Sequence, residues 1–235
     1  MNSTERCWAI IPAAGFGTRM NSDKPKQYLK LRDKTVLEHS VRLFSDYERI
    51  SGVVVVLAES DPFWASTGLD KEPRVSTTQG GLERCHSVQN GLNALKADAG
   101  NDDWVLVHDA ARPCLQRADL DRMILTLEDH PVGGILAMPV KDTMKRADQH
   151  YVIQETVSRQ GLWHALTPQM FRYSLLEAAI NNAIAKNILV TDEAEAIELT
   201  GKQPVLVEAS SGNIKITQQS DLELAELYLS QQEME

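Results

Sequence analysis

At 235 residues, 43% of them hydrophobic and 24% charged, the chain is long enough for one sizeable α/β core with at most an appendage. A formal net charge of −9 argues against a broad grip on nucleic acid, which needs basic surface to displace counterions. No apolar run approaches the ~20 residues that a membrane-spanning helix requires, which excludes that architecture.

The opening MNSTERCWAIIPAAGFG lacks the basic-then-apolar order of a secretion signal. It runs instead into a strand at 8–11 that ends in Pro12 and a glycine loop. Thr35-Val-Leu-Glu38 has capping-box form and predicts an amphipathic helix to about Tyr47. The β-branched run at 53–57 predicts a strand buried on both faces of a parallel sheet. A helix is expected over 82–96 after Gly80-Gly81, a second buried strand at 104–107, a helix over 118–128 and a strand over 134–140.

The pattern then changes. Residues 141–159 are polar, with a loose period of two through Tyr151, Ile153, Glu155 and Val157 and a turn-like Ala147-Asp148-Gln149-His150. This predicts a β-hairpin arm outside the core sheet. Beyond it a helix is expected over 173–186, another after Thr191-Asp192-Glu193, and a strand over 204–207. Ser220-Asp-Leu-Glu223 reads as a capping box opening the last helix. Strands alternating with helices imply right-handed crossovers and a Rossmann-like, doubly wound, mainly parallel sheet. One domain is expected over 1–235, with the 141–159 arm inside it. Ligands in such sheets sit at the carboxyl ends of the strands, so chemistry is sought just after each one.

The first such segment is Pro12-Ala-Ala-Gly-Phe-Gly-Thr-Arg-Met20, followed by Lys24-Pro25-Lys26. Small residues let backbone N–H groups approach phosphate oxygens, and the basic residues add charge against the overall sign of the protein. A tight turn with solvated basic residues is the plainer alternative. GxxxxGK[ST] is absent, and the third glycine of GxGxxG is missing, so neither a Walker loop nor a dinucleotide fingerprint is present. That leaves an NAD-dependent oxidoreductase poorly supported.

The second segment is Val105-Leu-Val-His-Asp109-Ala-Ala-Arg112-Pro113. Asp109 is placed either to hold Mg²⁺, which prefers oxygen ligands, or to cap the next segment. His108 reads as a strand-end residue rather than a catalyst, and Arg112 meets either a phosphate or solvent. The third is the arm with its Lys141, Asp142, Thr143, Lys145, Arg146 and Arg159. It is either an edge hairpin whose charges prevent aggregation or a limb that clasps a second subunit. The fourth is Gly212-Asn-Ile-Lys215-Ile-Thr217, where Lys215 is expected in a short strand with Ile214 and Ile216 facing inward. Cys7, Cys85 and Cys114 are odd in number and lack metal-ligand spacing, which points to a reducing cytoplasm. The six histidines form no HExxH or similar pair.

Together these segments resemble one family, the 2-C-methyl-D-erythritol 4-phosphate cytidylyltransferases of the non-mevalonate isoprenoid pathway. PAAGFGTRM, KPKQY, GGLERCHSV, VHDAARP, PVKDTMKR, LWHALTPQ, TDEA and NIKIT occur in order along nearly the whole chain. The resemblance implies a nucleotidyltransferase-type fold, CTP as co-substrate, Mg²⁺ as cofactor and a homodimer joined through the arm. It implies that Arg19 and Lys26 bind the triphosphate and stabilise the transition state. Asp109 would support Mg²⁺, and Ala13, Ala14, Gly15, Gly81 and Ser87 would line the cytidine pocket. Arg112, Thr167, Thr191 and Lys215, with Thr143 and Arg159 from the partner's arm, would hold the acceptor phosphate. Small-molecule substrates are expected, with neither nucleic acid nor membrane as partner. Leu82, Ser158 and Thr18 depart from commoner members. The rival readings are a related nucleotidyltransferase for another base or sugar phosphate, and a non-catalytic nucleotide-binding module.

Overall fold

The computed structural model describes residues 5–15 and 24–232, and their strands and helices alternate as the sequence predicts. In chain order the elements are β1 (Cys7–Pro12), β2 (Lys30–Leu31), β3 (Lys34–Thr35), α1 (Val36–Ser45), β4 (Ile50–Leu57) and β5 (Val75–Gln79). There follow α2 (Arg84–Leu95), β6 (Trp104–Val107), α3 (Arg117–Leu127), β7 (Gly133–Pro139), β8 (Met144–Ala147) and β9 (Ile153–Val157). The chain continues with β10 (Trp163–Arg172), α4 (Tyr173–Ala185), α5 (Glu193–Glu198), β11 (Val205–Glu208) and α6 (Gln219–Gln232).

Seven strands form one sheet in the order β11-β7-β10-β6-β1-β4-β5. All its neighbours pair in parallel except β10, which runs antiparallel between β6 and β7. Alternate side chains of β1 go to opposite faces, as the period of two in a strand requires. Ala9 and Ile11 pack with Val41 and Phe44 of α1 and with Leu120, Met123 and Ile124 of α3. Ile10 packs on the other face with Val88 and Leu92 of α2 and Leu176 and Ile180 of α4. Both faces are therefore covered, and the Val53–Val56 run has no exposed side.

The capping box at Thr35 forms in full. Thr35 Oγ1 accepts from the Glu38 N–H at 3.1 Å, and the Glu38 carboxylate accepts from the Thr35 N–H at 2.7 Å. The other proposed box does not form as written. α6 begins at Gln219, and it is Asp221 whose carboxylate accepts from the N–H groups of Thr217 and Gln218, at 2.7 and 2.9 Å. The Asp221 carboxylate thus ties down N–H groups that precede the helix, the backward-reaching half of a capping box, rather than the first-turn donors that Ser220 would have capped.

Two strands of the main sheet carry no clear signal in the sequence. β5 is an edge strand, Val-Ser-Thr-Thr-Gln, with no apolar face to alternate. β10 is broken by a register shift between Ala165 and Gln169 around Pro168, and from Leu166 to Phe171 it is buried without alternation. The predicted arm forms as the separate antiparallel pair β8–β9, outside the main sheet. Lys215 lies in an extended loop rather than a strand: residues 213–217 form no ladder with the sheet.

Candidate active site

The loops after β1, β5 and β6 meet around a cavity of about 340 Å³. Its walls include Ala13, Ala14 and Gly15 from the first loop, Lys26 and Gln27 from the turn after it, and Gly81, Leu82, Arg84 and Ser87 around the start of α2. Asp109 and Lys215 close the far side. This is the carboxyl edge of the parallel strands, where the sheet's topology directs ligands. Eight of the residues expected to bind or catalyse thus share one cavity. Arg19 and Thr18 lie outside the described residues.

Each wall is held by a local device. Gln27 is buried and its Nε2 donates to the carbonyls of Ala13 and Gly15, at 2.7 and 3.0 Å, which fixes the path of the glycine loop. Ser87 Oγ accepts from the Gly81 N–H at 3.2 Å, so the chain stays extended through Glu83 and α2 starts two residues later than its sequence suggests. Gly80 lies against Ala14: a Cβ there would overlap the alanine methyl, so both positions must stay small for the walls to meet. Leu82 stands at the rim, 96% exposed.

Asp109 is the electrostatic centre. Its Oδ2 receives the Lys215 ammonium at 2.8 Å and lies 3.6 Å from Arg112 Nε, while its Oδ1 lies 3.3 Å from Arg84 Nε. Burial alone would raise its pKa, but Arg84, Lys215 and Arg112 outweigh burial and hold the carboxyl well below the usual carboxylate range. Lys215 reaches it because the loop carrying it is stapled on both sides. Arg112 Nη1 donates to the Asn213 carbonyl at 2.8 Å, Asn213 Nδ2 to the Thr167 carbonyl at 2.7 Å, and the Ile216 N–H to the Ala111 carbonyl at 2.8 Å. Lys26 Nζ in turn donates to the Ile216 carbonyl at 3.0 Å, from the opposite side.

Thr167 is buried directly beneath this centre, and its Oγ1 accepts from the Asp109 N–H at 3.1 Å. The same hydroxyl lies 3.0 Å from His108 Nδ1, and His108 Nε2 lies 3.0 Å from the Arg112 carbonyl. A carbonyl can only accept, so Nε2 carries the proton and Nδ1 accepts from Thr167. Burial pushes the His108 pKa down to about 4, so the ring is neutral at pH 7 and clamps the 109–112 turn. An unfolded chain protonates this histidine near 6.5, whereas the folded one resists until about 4. The unfolded state therefore binds more protons across that window, and stability should fall by roughly 3 kcal/mol as pH drops through it. Urea titrations at pH 7 and 4.5 check this. His108→Gln should show a clearly shallower pH slope, and equal slopes would refute the assignment.

The remaining predicted residues do not line the cavity. Thr191 is exposed, and its N–H and hydroxyl both donate to Glu195 Oε2, at 2.6 and 2.9 Å. Thr143 and Arg159 are exposed on the arm, where Arg159 Nη1 donates to the Lys141 carbonyl. Sequence reasoning missed Gln27, Arg84, Glu193 and Asn213. All four lay inside quoted motifs that drew attention to their neighbours: KPKQY, GGLERCHSV, TDEA and NIKIT. No local signal marks the pair Arg84 and Glu193, since the burial of Glu193 and its contact with Arg84 exist only in the folded chain.

Among the described residues, no group of three or more His, Cys, Asp or Glu could hold a metal ion. Asp109, partly exposed at the cavity wall and kept ionised, is the one candidate ligand of the predicted set. That fits Mg²⁺, which takes one or two carboxylates and completes its shell with waters and substrate phosphates.

The family model described as 2-C-methyl-D-erythritol 4-phosphate cytidylyltransferase matches residues 7–231. The enzyme of that name from Pseudomonas putida is 52% identical over 217 residues, covering 92% of each chain. The one from Vibrio vulnificus is 47% identical over 224 residues, covering 95% of this chain and 94% of its own. Among solved structures, a 4-diphosphocytidyl-2C-methyl-D-erythritol synthase superposes with a TM-score of 0.84 at 38% identity, over 96% of this chain and 99% of that one. The Francisella tularensis cytidylyltransferase also gives 0.84, at 36% identity, over 95% of this chain and all of its own.

Proposed function

The chain belongs to the 2-C-methyl-D-erythritol 4-phosphate cytidylyltransferase family, and we propose that the cavity after β1, β5 and β6 is where it works. It transfers a cytidylyl group from CTP to 2-C-methyl-D-erythritol 4-phosphate, giving 4-diphosphocytidyl-2-C-methyl-D-erythritol and pyrophosphate in isoprenoid biosynthesis. The observation that carries the assignment of the site is convergence. Lys26, Asp109 and Lys215 come from three distant parts of the sequence and line one cavity with the glycine loop.

The attacking group is a phosphate monoester, already mostly dianionic at pH 7 because its second pKa is ~6. It needs no general base, and the neutral, enclosed His108 is consistent with none being supplied. The barrier lies in bringing two anions together. Two unit charges 4 Å apart interact by ~4 kcal/mol at an effective dielectric of 20, and both reactants carry more than one. Lys26 and Arg19 are the catalytic cations, offsetting charge that builds on the phosphoryl and leaving oxygens. Ala13, Ala14, Gly15, Gly81 and Ser87 hold the cytidine and the adjoining phosphates. Arg112, Thr167, Thr191 and Lys215 hold the acceptor. Asp109 would hold Mg²⁺, which when bound neutralises charge on the triphosphate.

The chain would form one domain over 1–235 and act as a homodimer through the 141–159 arm. The arm is supported in that role by its exposed apolar surface: Met144, Tyr151, Val152 and Ile153 all lie open, with Tyr151 at 92%. Such residues on a polar hairpin favour a protein partner over water. Thr143 and Arg159 of the partner subunit would then complete the acceptor site. A cytoplasmic home is supported by the three cysteines, all unpaired and buried.

Mixed dimers test the shared site. Arg159→Ala should raise the KM for the acceptor, and Lys26→Ala should abolish most turnover. Co-expressed and purified as heterodimers, the two should regain a substantial part of the activity of one intact site. Verified heterodimers with no gain would show that each site is built from a single chain.

A further inference from the structure

Arg84, the first residue of α2, reaches two carboxylates at once. Its Nη1 and Nη2 hold the two oxygens of Glu193 at 2.6 and 3.1 Å, and its Nε lies 3.3 Å from Asp109 Oδ1. Glu193 is fully buried and does not line the cavity, whereas Arg84 and Asp109 both do. Glu193 is itself immobile. It opens α5 between Asp192, which accepts from Gln169 Nε2 at 3.0 Å, and Ala194, whose N–H donates to Gln169 Oε1 at 2.8 Å.

A buried carboxylate–guanidinium pair is weak as a stabilising device, because desolvation offsets most of the attraction and an apolar pair often does as well. What the pair supplies here is direction. A planar fork gripped by a bidentate carboxylate cannot rotate, so its Nε–H points where the protein aims it. Asp109 is then held on both oxygens, by Arg84 on one and by Lys215 and Arg112 on the other. The pull of Glu193 also outweighs burial and keeps the guanidinium firmly protonated.

We propose that Arg84 is a positioning residue: anchored by Glu193, it sets the orientation of the Asp109 carboxylate for the transfer step without itself touching CTP. This rests on the reading of Asp109 as a residue of the reacting site. All three guanidinium nitrogens are committed to carboxylates, which leaves the fork little freedom to meet a nucleotide.

The test is a mutant cycle with Arg84→Met and Glu193→Gln made together, so that no unpaired buried charge remains. The pair should keep its thermal midpoint near that of the wild type and its KM for CTP nearly unchanged, while kcat falls of order 10²-fold, as a misplaced reacting group requires. Added to Asp109→Asn, the pair should lower kcat no further, because residues that act through one another are not additive. Losses that multiply, a KM for CTP raised in step with the fall in kcat/KM, or an unchanged kcat would each overturn the proposal. If the paired variant fails to fold, Arg84→Lys serves instead. It keeps Glu193 paired but one ammonium cannot serve as a fork to both carboxylates, so it should be stable and still slow, and wild-type kcat in it overturns the proposal. Wild-type kcat in Asp109→Asn would instead overturn the underlying reading of the site, a result distinct from multiplying losses.

Discussion

Lys26→Ala should lower kcat by roughly 10³-fold, the loss expected when one fixed donor to developing charge is removed from a water-poor site. The expectation rests on where the residue is held. Lys26 opens a single 3-10 turn, Lys26–Tyr28, whose other two members are buried, so its backbone cannot drift. Gln27 ties that turn to the glycine loop, and the Lys26 ammonium reaches the Ile216 carbonyl across the cavity. Its side chain is only half-buried, so truncation costs little packing and the fold should survive. The loss should fall on kcat more than on the KM for CTP, because the charge that Lys26 answers grows as the bond breaks. Single-turnover pyrophosphate release, with circular dichroism as a check on folding, measures this. A turnover near that of the wild type would remove Lys26 from the mechanism.

Gly133→Ala should destabilise the protein by roughly 4 kcal/mol, with a corresponding fall in the urea midpoint and no change in its slope. Gly133 starts β7 with φ +117°, a backbone region that side chains rarely adopt, so any Cβ there is strained. The same Cβ would overlap the Met170 carbonyl and crowd the Phe171 ring. β7 lies between β10 and β11, so it cannot shift aside without breaking a ladder on one edge or the other. An exposed glycine, Gly161, has a positive φ but open space around it, and its alanine variant isolates the cost of backbone strain. Equal losses at the two positions would show that the overlap at Gly133 is relieved by repacking.

The fold was largely legible because the buried parallel strands and their helices follow simple periods. Val53–Leu57 and Trp104–Val107 lie within or coincide with observed strands, and the Thr35 box opens α1 as its residues demand. β10 was not legible, since a strand buried on both faces and broken at Pro168 has no alternation to read. Lys215 was placed correctly beside the site but on the wrong kind of backbone. Its isoleucine neighbours mimic a strand, whereas Arg112, Ala111 and Asn213 hold the segment by hydrogen bonds that no local pattern encodes. The predicted residues that line the cavity lay in motifs that follow strands. Arg84 and Glu193 escaped because their partnership spans 109 positions and depends on tertiary contact alone.

The staple that carries Lys215 has a cooperative consequence. Ile216 is packed with Ala225 and Leu229 of α6 against Leu31, Val36 and Cys114, and its carbonyl receives Lys26 while its N–H is bound by Ala111. Fraying of the C-terminal helix would therefore loosen Lys26 and Lys215 together, so that the two sides of the cavity and the docking of α6 rise and fall as one unit.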